Sequence, residues 1–190
     1  MKYPMGIRQN KVKTTNYGNR GMSLEEDINI TNEYYRNEDI AVIYKKPTPI
    51  TIAKVDFKSR KDAVIKEAYF KTPSTTDYNG IYKGKYIDFE AKETKQKNFP
   101  LGNIHPHQIA HMKQIIKHGG IGFFLIRFSV EDETYLLEGK YLFEFTENET
   151  RKSIPITYIQ KNGYLIKEKI NPRIDYLSII DTIYFKGESL

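Results

Sequence analysis

Apolar side chains recur along this chain in two rhythms, one helical and one alternating. Leu24, Ile28 and Tyr35 fall on one side of a helix. Ser23-Leu24-Glu25-Glu26 opens that stretch in the capping-box form, in which the Ser23 hydroxyl and the Glu26 carboxylate satisfy orphan amides. The pattern predicts a helix from Ser23 to about Tyr35. Ile40 to Tyr44 and Ile50 to Val55 are short β-branched segments separated by Lys-Pro-Thr-Pro, hence two strands joined by a turn. Tyr86 to Lys92 alternates: Ile87, Phe89 and Ala91 share one face of a strand, while Asp88, Glu90 and Lys92 share the other. Pro106 suits the first position of a helix running to about His118, with Ile109, Met112, Ile115 and Ile116 as its apolar stripe. Gln108 falls inside that stripe and should face the sheet. Gly119-Gly120 ends the helix, and Ile121 to Phe128 reads as a central, buried strand. This helix-to-strand crossover predicts an α/β fold. Further strands are expected over Thr134 to Phe145 and Ile154 to Ile159. A last helix, capped at Asn171-Pro172, would pack through Ile174, Leu177, Ile180 and Tyr184.

Composition bounds the size and the partners. A chain of 190 residues, 39% hydrophobic and with 10 Phe and 15 Tyr, can build one core. Residues 1–22 hold cations but no acids, among several Asn, Gly and Thr, so they read as a flexible basic arm before a single domain over 23–190. No apolar run approaches the roughly 20 residues that span a bilayer. The amino terminus also lacks the apolar stretch of a secretory signal, so the expected location is cytoplasmic, with no membrane partner. Cysteine is absent, which excludes disulfides, thiol nucleophiles and thiolate zinc sites. Lys and Arg number 30 against 24 acids, a net charge of +6, which favours a polyanion such as nucleic acid but equally suits an ordinary cationic surface.

Between Asp56 and Lys85, the cations Lys58, Arg60, Lys61, Lys66, Lys71, Lys83 and Lys85 alternate with Tyr69, Phe70, Tyr78 and Tyr82. That interleaving suits phosphate contacts combined with base stacking. A solvated, irregular β-hairpin would have the same composition. His107 and His111, spaced i, i+4 and in line with His118, point away from the apolar stripe and suit a solvated or DNA-facing helix side better than zinc.

One constellation carries chemistry. Glu90-Ala91-Lys92 is preceded 13 positions earlier by Asp77. Phosphodiester hydrolysis needs a polarised phosphoryl oxygen, an activated water and a stabilised leaving alkoxide, and carboxylate-bound Mg²⁺ supplies the first and assists the others. Asp77 and Glu90 would hold the metal, with the Ala91 carbonyl as a further hard oxygen. Lys92 would stabilise charge that develops only in the transition state. A salt-bridged strand face would show the same spacing. Asp88 reads as a supporting or solvent-facing carboxylate. Thr75 and Gln108 are neutral oxygen donors that such a site could recruit. Two carboxylates are compatible with one Mg²⁺ or two, and Mn²⁺ is an expected substitute.

Longer blocks then carry a resemblance. Asn19-Arg20-Gly21-Met22, Lys45-Lys46-Pro47-Thr48-Pro49, Ala63 to Phe70, Ser74 to Gly80, Tyr86 to Thr94 and His107-Gln108 strongly resemble RecU, the Holliday junction resolvases of Gram-positive bacteria. The resemblance runs from about Asn19 to Phe185. It implies a restriction-endonuclease-like mixed β-sheet flanked by helices, a projecting β stalk at about 56–85, a symmetric homodimer and Mg²⁺ dependence. It assigns Thr75, Asp77, Glu90 and Gln108 to the metal and Lys92 to transition-state stabilisation. It implies paired symmetric nicks in four-way branched DNA during recombination and repair, and a cytoplasmic, nucleoid-associated location. Arg60 matches a position that the family associates with modulating the RecA recombinase. Arg20, Lys58, Arg60, Lys61, Lys71 and Lys83 are the expected DNA contacts. Two alternatives stay open: a less structure-selective endonuclease of the same fold, and a non-catalytic junction-binding or recombinase-modulating protein.

Overall fold

The structure is a computed structural model that describes residues 22–57, 59, 61, 63–71 and 75–186. Residues 1–21 of the basic arm, Arg20 among them, and Lys58 and Arg60 therefore lie outside the described residues. At Ser23 the expected capping box forms: Glu26 N–H donates to Ser23 Oγ at 3.3 Å, and Ser23 N–H donates to the Glu26 carboxylate at 2.7 Å. Helix α1 (Leu24–Asn37) follows. Its first turn is tied to the central sheet, because Leu24 N–H donates to Glu93 Oε2 at 3.0 Å.

The remaining elements are β1 (Val42–Lys45), β2 (Ile50–Asp56), β3 (Val64–Phe70), β4 (Tyr78–Tyr82), β5 (Lys85–Thr94) and β6 (Asn98–Pro100). Then come α2 (Pro106–Lys117), β7 (Ile121–Phe128), β8 (Glu133–Glu138), α3 (Gly139–Asn148), β9 (Ser153–Pro155), α4 (Ile156–Asn162), β10 (Tyr164–Ile166) and α5 (Tyr176–Tyr184). Six strands form one mixed sheet in the order β1-β4-β5-β7-β8-β10. Only β5 and β7 run parallel in it, joined by the α2 crossover. β7 is buried at every position, as a strand covered on both faces must be. Ile87, Phe89, Phe123 and Leu125 pack on one face with α1 and α5. Phe124, Ile126 and Leu137 pack on the other with Met112 of α2, Leu142 and Phe143 of α3, and Ile159 of α4. The mixed sheet between two helical layers is the α/β architecture expected.

Where the structure departs from expectation, packing explains the change. The projecting hairpin is β2 with β3, pairing Ile50–Asp56 with Val64–Phe70 and exposed along its whole length. Its bounds are thus earlier than 56–85. β4 belongs to the central sheet, because Tyr78 and Tyr82 put their rings into the core and Gly80 lets β1 close in. A Cβ at Gly80 would stand 2.1 Å from the Val42 carbonyl oxygen. The strand expected over Thr134 to Phe145 stops at Glu138, and α3 takes its place from Gly139 onward. A Cβ at Gly139 would meet Met112 Sδ at 2.9 Å, so close packing on α2 overrides the β propensity of this aromatic stretch. The strand expected over Ile154 to Ile159 is likewise short, with α4 beginning at Ile156. The last helix is capped by Asp175, which accepts from Ser178 N–H at 3.4 Å, rather than at Asn171.

Candidate active site

Strand alternation sets the site's frame. With Ile87 and Phe89 committed to the α1/α5 core, Asp88, Glu90 and Lys92 are carried to the opposite face of β5. Asp88 and Glu90 are both fully buried there, and the Lys92 side chain is 20% exposed. In the neighbouring parallel strand Gly122 lies opposite Asp88 and Phe124 opposite Glu90. A Cβ at Gly122 would lie 2.7 Å from Met112 Cγ. The missing side chain lets α2 approach closely and delivers Gln108 and His111 to the carboxylates.

Glu90 is the hub. Its Oε1 accepts from Gln108 Nε2 at 2.6 Å and pairs with Lys92 Nζ at 2.6 Å, while its Oε2 accepts from the Asp77 N–H at 3.1 Å. Burial, and next the Asp77 carboxyl beside it, push the Glu90 pKa up to about 7 against the opposing pull of Lys92. Asp77 itself is half-buried at the entrance to β4, so the pair presents one carboxylate toward solvent and one behind it. Two carboxylates crowded in this way favour a shared cation over simultaneous charge.

The donor chemistry fits Mg²⁺, which takes one or two carboxylates and completes its shell with water and phosphate oxygens. Thr75 is half-buried beside Asp77, and its hydroxyl donates to the Thr76 carbonyl at 3.3 Å. Gln108 stands differently from a simple oxygen donor. Its Oε1 accepts the His105 N–H at 2.9 Å, so flipping the amide would set two donors face to face. Its N–H group is thereby aimed at Glu90. The histidines do not converge on a metal. His107 stacks on His105 with ring centroids 5.4 Å apart, and burial, then His105 and Lys92, hold its pKa below the ordinary value.

His111 differs from expectation, and of the two places open to Asp88 the structure excludes the solvent-facing one. His111 turns toward the sheet and meets Asp88 Oδ2 at 3.3 Å. Asp88 also accepts from Lys46 Nζ at 2.8 Å, from Tyr86 Oη at 3.3 Å and from Thr76 Oγ1. Lys46 and Thr76 were not singled out by sequence reasoning, although both lie within the blocks that carry the resemblance. Nothing in the pattern separates Lys46 from Lys45, which turns outward to Glu25.

Three of the expected DNA contacts, Lys61, Lys71 and Lys83, lie among the described residues. Lys61 and Lys71 are exposed on the hairpin. Lys83 sits in the β4–β5 turn, ion-paired to Asp181 at 2.7 Å, a hydrogen bond that raises its pKa. On the sheet face that carries Glu90, Val42, Ile81 and Tyr86 of β1, β4 and β5 remain exposed, an open shelf beside the carboxylates.

The family model described as "RecU: Recombination protein U" matches residues 19–182. A Holliday junction resolvase RecU from Bacillus cytotoxicus is 54% identical over 197 residues, covering 97% of this chain and 98% of the relative. One from a Geobacillus species is 59% identical over 174 residues, covering 90% of this chain and 87% of the relative. Among solved structures, Archaeoglobus fulgidus Hjc, a Holliday junction resolvase, superposes with a TM-score of 0.44 at 10% identity, covering 72% of this chain and 89% of Hjc.

Proposed function

Because the chain belongs to the RecU family, we propose that it resolves Holliday junctions as a metal-dependent endonuclease whose centre is Asp77, Glu90 and Lys92. The observation that carries this reading is the crowding of Asp77 against a buried Glu90 whose pKa stands near 7, with Lys92 on the same strand face. Asp77 and Glu90 would hold Mg²⁺, with Thr75 and the Ala91 carbonyl as additional hard oxygens. A bound divalent cation supplies Lewis-acid polarisation of the scissile phosphate and of the attacking water.

The rest of the work falls to the chain's own groups. Lys92 places a positive charge at the rim of the carboxylate pair, where it opposes the negative charge that accumulates on the phosphorane oxygens. Gln108, fixed by the His105 N–H, orients Glu90 from behind and leaves its other oxygen toward Asp77. The open shelf of β1 and β4 gives a duplex access to these groups. Lys61, Lys71 and the basic arm would supply phosphate contacts, which position DNA without reading its sequence. A two-fold homodimer would put two such centres on symmetry-related strands of a four-way junction, as paired nicks require. Modulation of the RecA recombinase through Arg60, a nucleoid-associated cytoplasmic location and the replacement of Mg²⁺ by Mn²⁺ belong to the same proposal.

A gel assay on a mobile four-way junction tests it. Wild-type protein should nick symmetrically in Mg²⁺, and Asp77→Asn or Glu90→Gln should bind the junction yet lose nicking by at least a hundredfold. Retained cleavage by either purified variant would sink the assignment. Equal cutting of linear duplex and junction would point to a less selective endonuclease, and tight binding without nicking in Mg²⁺ or Mn²⁺ to a non-catalytic protein.

A further inference from the structure

Beyond the catalytic groups, we propose that buried Asp88, together with Lys46 and Thr76, forms a positioning centre that sets the spacing between Asp77 and Glu90. The proposal rests on reading that pair as the metal site.

Asp88 is two residues from Glu90 on the same face of β5 and is fully buried. A lone carboxylate there would be costly, yet it is surrounded by donors: Lys46 Nζ at 2.8 Å, His111 Nε2 at 3.3 Å, Tyr86 Oη at 3.3 Å and the Thr76 hydroxyl. Two of these partners, Lys46 and Thr76, also hold the segment that carries the other half of the site. Thr76 stands between Thr75 and Asp77 and is itself buried. Lys46 Nζ also donates to Thr76 Oγ1 at 3.0 Å, and the Lys46 backbone N–H donates to the Asp77 carbonyl at 2.7 Å. Residues 75–77 are therefore pinned to β5 at Asp88 and to the end of β1 at Lys46. The residue after Thr76, Asp77, donates its N–H to Glu90 Oε2.

The arrangement has a consequence for binding. Asp77 immediately precedes β4 whereas Glu90 lies within β5, and their carboxylates repel when both are charged. A clamp that fixes their spacing opposes this repulsion, and Asp88 supplies it from inside the sheet. Groups that orient metal ligands in this way are worth roughly 10–100-fold in metal affinity. A buried ion pair that served stability alone would change the melting temperature and leave the metal affinity untouched.

Thr76→Val and Thr76→Ser, made in the full chain, separate the two roles, since valine keeps the shape and loses the hydroxyl while serine keeps the hydroxyl. The readouts are Mn²⁺ binding by calorimetry to metal-free protein, the Mg²⁺ concentration at half-maximal junction nicking, and thermal melting. Thr76→Val should weaken Mn²⁺ binding at least tenfold and raise the Mg²⁺ midpoint by a similar factor, with nicking recovering at high Mg²⁺. Thr76→Ser should recover most of that loss. Lys46→Gln, at a side chain one-fifth exposed, tests the clamp from its outer side and should shift the Mg²⁺ midpoint in the same direction even if Thr76→Val does not fold. Wild-type Mn²⁺ affinity in folded Thr76→Val, or in Lys46→Gln, accompanied only by a lower melting temperature, would overturn the proposal. Failure of the wild-type protein to bind Mn²⁺ at all would instead remove the metal-site reading beneath it.

Discussion

Glu90 concentrates the site's physics in one carboxyl group. It is fully buried, and its pKa is raised from an ordinary 4.5 to about 7, first by burial and then by Asp77. An acid raised on folding holds its proton more tightly in the folded state. Its contribution to stability is therefore fully present below about pH 4.5 and is lost as the pH rises through about 7. In metal-free protein the melting temperature should fall across that window by more in the wild type than in Glu90→Gln. One pKa unit corresponds to about 1.4 kcal/mol, so the difference is readable in paired thermal melts. Parallel curves for the two proteins would refute it. Metal binding needs the carboxylate, so Mg²⁺ affinity should strengthen as the pH rises through the same range, and calorimetry at pH 6 and pH 8 checks the sign. The opposition of Glu90 and Lys92 to Ile87 and Phe89 was legible in the sequence because strand alternation is covalent geometry. The burial of Asp88 was not, since it depends on Lys46, Thr76 and His111 arriving from three other segments.

At the scale of elements, α1, α2, β5 and β7 could be read directly. Each carries its own punctuation: a capping box, a proline at the first helical position, strict alternation, or an apolar run broken only by Gly122 and Arg127. The segment from Gly139 to Asn148 could not, because its β-branched and aromatic neighbours match a strand while its packing on Met112 requires a helix. The contact between α2 and the sheet makes a sharp test. Gly122→Ala would drive a methyl group against Met112 and Ile116, whose nearest atoms a Cβ there would meet at 2.7 Å and 3.0 Å. Overpacking of this kind costs about 1–3 kcal/mol. It should also slow nicking by displacing Gln108 and His111. Gly102→Ala has nothing within 4 Å of the new atom and serves as the control, expected to melt within about a degree of wild type. Equal melting of the two variants would contradict the close α2 packing.

The structure has a packed α/β/α body and a hairpin whose strands, among the described residues, pair only with each other. Ile50, Ile52, Val55, Phe57, Val64, Ile65 and Phe70 are all exposed on the hairpin, Phe70 by 84%. An isolated two-stranded hairpin is marginally stable in water, so these residues contribute little to the body's folding. Replacing residues 51–69 with a short turn should leave the main thermal transition within a few degrees. The ratio of junction to linear-duplex cutting should fall severalfold, as a competition assay would show; an unchanged ratio would separate the hairpin from substrate choice. The sequence by itself determined the elements with local punctuation, the face shared by Asp88, Glu90 and Lys92, and through its long blocks the family. Only the tertiary structure decided that the hairpin ends at Phe70, that Tyr78 and Tyr82 build core, and that Lys46 turns inward while Lys45 does not. The reason is one of range. Periodicity and caps are set by neighbours a few residues apart, whereas the burial of Asp88 depends on Thr76, 12 positions away, and Lys46, 42 positions away, which meet it only once the sheet has formed.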